Sequence, residues 1–225
     1  MKCCFTYNHF KECINLGKKL GFSFYSMHDY LKEHPKKKFI VMRHDVDLSL
    51  KHALIMAKTE KYLGIKSTYF IRNTGIYNPF YEKNLGIMRQ ISKLGHEIGI
   101  HYDSGSLSAN NFKSFFLSQK KDFELFIGKK IFGAAVHKRK DVNSSEPGKL
   151  NIVEGLLPSL DLEYDAYSDA FMKDIKFISD SKCRWREGCM CNHIKKETKL
   201  CILTHPIWWS ATTTSLVSVM EELLE

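Results

Sequence analysis

No stretch of this 225-residue chain is apolar for long enough to cross a bilayer as a helix, and it contains no internal repeat and no low-complexity tract. Those absences exclude a helical membrane bundle, a solenoid and a linker-rich disordered chain. The first residues, MKCCFTYNHFKEC, carry charges where an export leader would place its apolar stretch, so the expected location is cytoplasmic. An even cysteine count is missing too: the seven cysteines read as free thiols of a reducing compartment. Cys189-Met190-Cys191 with His193 and the nearby Cys183 fits no standard zinc-finger spacing, which favours a loop with ordinary thiols over a zinc site. No nucleic-acid module accompanies the lysine and arginine clusters at 36–38, 129–130, 138–140 and 195–196. The net charge of +9 is therefore solvated surface, with no nucleic-acid partner expected. Its economical functional use is to draw an anionic substrate toward a cleft.

What is present is enough apolar material, 44%, for one sizeable core. Short β-compatible runs (39–42, 66–71, 97–100, 131–136, 200–203, and weaker ones at 162–167 and 176–179) alternate with helical spacings at 49–63, 80–94 and 110–126. A broken helix is expected over 147–160 and an amphipathic one over 213–225. The alternation predicts an α/β fold in a single domain: a distorted barrel of about seven strand–helix units, occupying 39–225 behind a helical preface over 1–38. In such a barrel the working residues sit at the carboxyl ends of the strands, where the loops converge.

Four strands end in ionisable groups by that rule. The first, Phe39-Ile40-Val41-Met42, runs into Arg43-His44-Asp45-Val46-Asp47. Side chains alternate faces along a strand, so Arg43, Asp45 and Asp47 share one side while His44 and Val46 take the other. Two acids that close resist ionising together unless a cation, either Arg43 or a metal, sits beside them. The later strands end at His101, His137 and His205. Two aspartates and several histidines around one mouth suit a divalent cation with mixed oxygen and nitrogen ligands and an open position for water. Such an ion polarises a carbonyl and acidifies water. His9, His28, His34 and His193 are assigned no role, and His52 is expected on an exposed helix face.

Gly95-His96-Glu97-Ile98-Gly99-Ile100-His101 resembles the GHEIGxH segment of polysaccharide deacetylases, the NodB-homology or carbohydrate esterase family 4 group. RHDVD matches that family's first motif, and Leu200 to His205 resembles its late histidine motif. The three segments stand in the family's order across roughly 21–209. The resemblance is to a branch with RHDVD, a tyrosine after the GHEIGxH histidine, and an ending like His205-Pro206-Ile207-Trp208-Trp209. It implies a distorted (β/α) barrel and hydrolysis of an N-acetyl group from an amino sugar. It further implies Asp45 as general base, Asp47 and His101 as ligands of one divalent metal (zinc first, then cobalt, nickel or manganese), and His205 as general acid. Arg43 keeps Asp45 ionised. The sequence departs from the family at Gly105, where a second ligand histidine is expected, and at Val136-His137-Lys138-Arg139, where an arginine motif is expected. His137 is the first candidate for the third ligand and Asp103 the second, with Arg43 or Arg139 standing in for the arginine. Tyr102, Arg139, Arg184, Trp185, Trp208 and Trp209 are the expected substrate contacts, the aromatics as a sugar platform and the arginines for an anionic group. Asp165, Tyr167 and Asp180 lie near the same mouth. The competing readings are a barrel that binds a glycan or nucleotide sugar without turnover, and a metal phosphoesterase.

Overall fold

Strand β2, Phe39–Val46, carries the RHDVD segment and is buried along its whole length. The computed structural model describes residues 3–103, 109–137, 154–212 and 216–222; Gly105 and the cluster 138–140, Arg139 included, lie outside them. Ahead of β2 come helix α1 (Tyr7–Lys19), strand β1 (Ser23–Tyr25) and helix α2 (Met27–Glu33). After it follow α3 (Leu50–Tyr62), β3 (Thr68–Arg72), α4 (Glu82–Lys93), β4 (Glu97–Asp103), α5 (Ala109–Ile127) and β5 (Gly133–His137). The chain continues through a 3₁₀ turn over Glu154–Leu160 that contains Pro158, then β6 (Tyr164–Asp165), α6 (Asp169–Met172) and β7 (Lys176–Ser179). It closes with α7 (Met190–Lys196), β8 (Lys199–Thr204) and α8 (Leu216–Glu222).

Among the described residues all strand pairings are parallel, in the order β6-β5-β4-β3-β2-β8-β7. The expected α/β barrel is therefore present, as a curled sheet open between its two outer strands, β6 and β7. The rings of Tyr167 and Phe177 lie 6.2 Å apart and join the two margins. The preface at 1–38 contributes β1, which pairs with the first half of β2 before β3 takes over the same edge. Three residues are too few for β1 to show a period in the sequence.

Alternation along β2 sorts its residues into two cores. Phe39 and Val41 face the barrel interior with Phe70, Ala135, Tyr164 and Cys201. Ile40, Met42 and Val46 face the helical layer with Leu50, Ala53, Met56 and Ala57 of α3. Burying each large side chain contributes roughly 1.5–3 kcal/mol. The interior is tight: a Cβ on Gly99 would stand 2.5 Å from the Phe70 ring, and one on Gly133 would stand 2.1 Å from that of Tyr164. Only glycine lets those rings lie flat against β4 and β5.

His44, on the outward row, ties β2 to α3 and β8. Its Nδ1 lies 2.7 Å from Thr204 Oγ1 and its Nε2 2.9 Å from Oε1 of the buried Glu60. Tyr69 also donates to Glu60, at 2.7 Å, so a carboxylate in the helical layer keeps its partners. His96 joins the same network through Ser67, 3.1 Å from its Nδ1, and donates from Nε2 to the Ala57 carbonyl at 3.0 Å. His52 departs from its expected exposed position: it is buried, with Nδ1 2.9 Å from the hydroxyl of Ser49, the N-cap of α3.

Candidate active site

The inward row of β2 continues past its apolar half into Arg43 and Asp45. Arg43 has no exposed surface, and its Nη2 donates to both Asp45 oxygens at 2.9 Å. Its Nη1 donates to the Ala166 carbonyl at 3.2 Å, and its guanidinium carbon lies 5.0 Å from the Phe70 ring centre and 4.5 Å from that of Tyr167. Burial alone would lower the Arg43 pKa, but the Asp45 charge outweighs it and raises it, so the guanidinium stays charged. The cation that two neighbouring acids require is thus built into the strand.

Strand register brings the next groups together. His101 pairs with Ala135 and Asp103 with His137 across β4 and β5. His101 Nδ1 lies 2.9 Å from the Ala135 carbonyl, which can only accept, so Nδ1 carries the proton. His101 Nε2 then points at Asp47 Oδ1, 3.1 Å away, with Asp45 Oδ2 at 3.7 Å. His137 Nδ1 is 2.7 Å from Asp103 Oδ1, and Asp103 is itself held by Arg72 at 3.0 Å and Thr74 at 2.6 Å. Burial would raise Asp103, but Thr74, His137 and Arg72 outweigh it and hold it at about 2. Asp103, the second candidate for the third ligand, therefore orients the first. His137 Nε2 is left facing Asp47 Oδ1 at 3.9 Å.

One ligand atom from each of Asp47, His101 and His137 lies within 4.8 Å of the others. Asp47 Oδ1 is buried and has no hydrogen-bond partner, although two imidazole nitrogens face it. A buried carboxylate oxygen without a donor is costly unless a cation meets it. Each histidine has its other nitrogen fixed by a carbonyl or a carboxylate, the arrangement that orients an imidazole for a metal. The residues present fit a divalent ion. Burial would raise the Asp47 pKa; contact with His101 and the charges of His101, His205 and His137 pull it far below the usual carboxylate range.

On the opposite wall His205 leaves β8. Its Nδ1 lies 2.6 Å from Oδ1 of the fully buried Asp180, and its backbone N–H donates to the same carboxylate at 2.9 Å. Trp209 donates from Nε1 to Asp180 Oδ2 at 2.9 Å. Burial would lower the imidazole, but Asp180 outweighs it and His205 is pushed up to about 9. Its Nε2 faces the site, 3.8 Å from Asp47 Oδ2.

These groups line a hollow of about 470 Å³ with Tyr167, Ser181, Lys182, Arg186 and Trp208. Of the expected substrate contacts, Trp208 is in this wall, and Trp185 lines an adjoining recess while stacking on Phe5 with centres 6.3 Å apart. Three others are not at the hollow. Tyr102 follows His101 and so takes the opposite face of β4, where it packs on Phe112 and Phe116. Trp209 is wholly buried against Phe5 and Phe10, and acts on the site only through Asp180. Arg184 is exposed and lines neither cavity, whereas Lys182 and Arg186, two positions away on either side, line the hollow. Their basic character was visible in the sequence, but the direction of that irregular loop was not. Asp180 had no spacing to mark it as the partner of a histidine 25 residues on. A second hollow, of about 310 Å³, lies at the amino ends of β4 and β5 near His28 and Glu97, away from this cluster.

No family model matches the sequence, and no curated protein matches it. Solved structures do match. A CE4 family pseudoenzyme from Bacillus anthracis aligns with a TM-score of 0.53 at 18% identity, over 85% of this chain and 62% of that one. A Streptococcus pyogenes deacetylase in complex with acetate gives 0.55 at 13% identity, over 72% and 73%. A family 4 carbohydrate esterase from Bacillus anthracis gives 0.51 at 12% identity, over 93% and 84%. The chain thus spans less than two thirds of the length of the first of these. At such identities the likeness carries the fold, which is the one that the three sequence motifs imply.

Proposed function

We propose that the chain is a metal-dependent hydrolase that removes an N-acetyl or similar acyl group from an amino sugar or sugar precursor. The observation that carries this reading is the convergence of Asp47 Oδ1, His101 Nε2 and His137 Nε2, from three strands, on one polar hollow. Asp47, His101 and His137 would hold the ion, zinc first among the candidates, with cobalt, nickel and manganese as alternatives. When bound, such an ion supplies Lewis-acid polarisation of a carbonyl and acidifies water.

The chain's own residues divide the proton transfers. Asp45, held by Arg43 through both its oxygens, accepts the proton of a water that adds to the acyl carbonyl. His205 holds a proton on Nε2 at neutral pH and gives it to the nitrogen as the C–N bond breaks, leaving acetate and a free amine. Asp180 fixes the imidazole through Nδ1, so Nε2 is the end presented to substrate. Trp208 offers an apolar wall for a sugar ring. Lys182 and Arg186 suit a phosphate or carboxylate on the remainder of the substrate, as a nucleotide-linked or lipid-linked precursor would carry.

The test is acetate release from N-acetylated amino sugars, free, nucleotide-linked and oligomeric, with each of the four metals added. Acetate that depends on metal and is lost in Asp45→Asn supports the reading. A second reading, a barrel that binds such a ligand without turnover, is favoured by Gly105 standing where the motifs call for a histidine and by the pseudoenzyme among the similar structures. Saturable sugar binding with no acetate released under any metal would decide for it.

A further inference from the structure

A second constellation lies away from the hollow, on the outer face, where α1 meets α7. Cys189 is the N-cap of α7 and Cys191 sits in its first turn, so the C-x-C pair presents two thiols from one corner. His9, from the first turn of α1, brings Nε2 to 3.1 Å from Cys189 Sγ. Cys3, from the segment ahead of α1, brings its Sγ to 3.5 Å from Cys191 Sγ. One ligand atom from each of these four residues lies within 4.8 Å of all the others. His9, Cys189 and Cys191 are buried, and Cys3 covers them from the solvent side. His9 Nδ1 is 3.3 Å from Glu12 Oε2, which leaves Nε2 to face the thiols.

We propose that Cys3, His9, Cys189 and Cys191 form a structural zinc site that clamps the amino-terminal segment and α1 to α7. Three sulfurs and one imidazole nitrogen form a closed tetrahedral donor set, with no position left for water. Ligands about 2.3 Å from a shared zinc stand about 3.8 Å from one another, the scale of the separations found. Soft thiolates select zinc over the oxygen-seeking cations, so the site differs in kind from the Asp47, His101 and His137 set. The carboxylate behind His9 orients the ligand as it does in other histidine–zinc sites. Cys13, buried one turn after His9 and 3.5 Å from its Nε2, is a fourth thiol at this corner and stays outside the set.

The clamp has a structural consequence. Tyr7 N–H donates to the Ser210 carbonyl at 2.8 Å, and Ser210 N–H donates to that of Phe5 at 3.1 Å, so the amino-terminal segment lies along the residues that follow His205. Phe5 packs edge-on against Trp209, the donor to Asp180. Holding Cys3 in place therefore holds the back of the wall that positions His205.

The test uses full-length protein purified without chelator, reduced throughout, with the hollow disabled by His101→Ala and His137→Ala. That double variant is expected to retain about one zinc, and to fall below about a tenth of an equivalent on further change of Cys189→Ser. Cys13→Ser is expected to leave the zinc in place. Cobalt loaded into the double variant is expected to give intense thiolate-to-cobalt charge-transfer absorption, reduced by Cys3→Ser and lost with Cys189→Ser. X-ray absorption on the double variant, with all its cysteines intact, is expected to count three sulfur neighbours and one nitrogen, which decides the matter even if a cysteine variant fails to fold. Less than about a tenth of an equivalent of zinc, with no thiolate band after cobalt is added, overturns the proposal. So does a Cys3–Cys191 disulfide in protein freshly isolated from a reducing cytoplasm. Equal zinc in the wild type and the double variant would instead remove the metal from the hollow and leave this site standing.

Discussion

Changing Arg43→Met strands Asp45, and the size of the effect follows from the surroundings. Asp45 is 3% exposed and both its oxygens accept from one guanidinium, which is itself enclosed by Phe70 and Tyr167. Breaking a buried pair from one side costs about 3–5 kcal/mol, because an uncompensated charge remains in a region of low polarity. Domain stabilities run at about 5–15 kcal/mol, so the loss is a large fraction of the whole. For a chain of this size it corresponds to a fall in Tm of roughly 6–20 °C. The double variant Arg43→Met with Asp45→Asn strands no charge and is expected to be more stable than Arg43→Met alone by about 2 kcal/mol or more. The assay is urea unfolding of the wild type, both single variants and the double variant, in chelator so that no ion compensates Asp45. If Arg43→Met costs under about 1 kcal/mol, or the effects of the two changes simply add, the pair does not carry the buried charge and the reasoning fails.

Metal content measured by mass spectrometry should be retained in Asp45→Asn while turnover disappears, and should be lost in Asp47→Ala and His101→Ala; equal content in all three contradicts the division of roles. Asp103→Asn removes the carboxylate behind His137 and should weaken metal affinity by about 10–100-fold in a calorimetric titration, with little loss of fold. Because His205 is raised from 6.5 to about 9, its proton is present at neutral pH and lost as pH rises through 9, so activity should fall on that alkaline side. Asp180→Asn removes the main cause, and should move the imidazole titration, read by NMR, down by roughly one to two pH units; an unchanged titration refutes the assignment.

Much of this was legible in the sequence because strands impose a period of two. Phe39, Val41, Arg43 and Asp45 form one row whether the chain is read as letters or as coordinates, and parallel strands deliver their ends to one mouth. His137 was reachable because it ends the strand beside that of His101. The same alternation argues against Tyr102 as a substrate contact, since it neighbours His101 and must face the other way. Roles set by irregular backbone were not legible: Asp180 was expected near the mouth but not as the partner of His205, and Arg186 rather than Arg184 lines the hollow. The thiol cluster was invisible for another reason. Its members are separated by up to 188 residues, and the partners of Cys189 and Cys191 are Cys3 and His9, not the nearby Cys183 and His193. His193, half-buried on α7, has its Nε2 3.0 Å from the Glu187 carbonyl.

The most direct test of the hydrolase account is a crystal of the zinc-soaked protein measured on both sides of the zinc absorption edge. The account predicts an anomalous peak in the hollow, bonded to Asp47, His101 and His137, with Asp45 and His205 nearby but not coordinating. A hollow without a peak at saturating zinc, or an ion there that leaves Asp47 Oδ1 unbound, would contradict it.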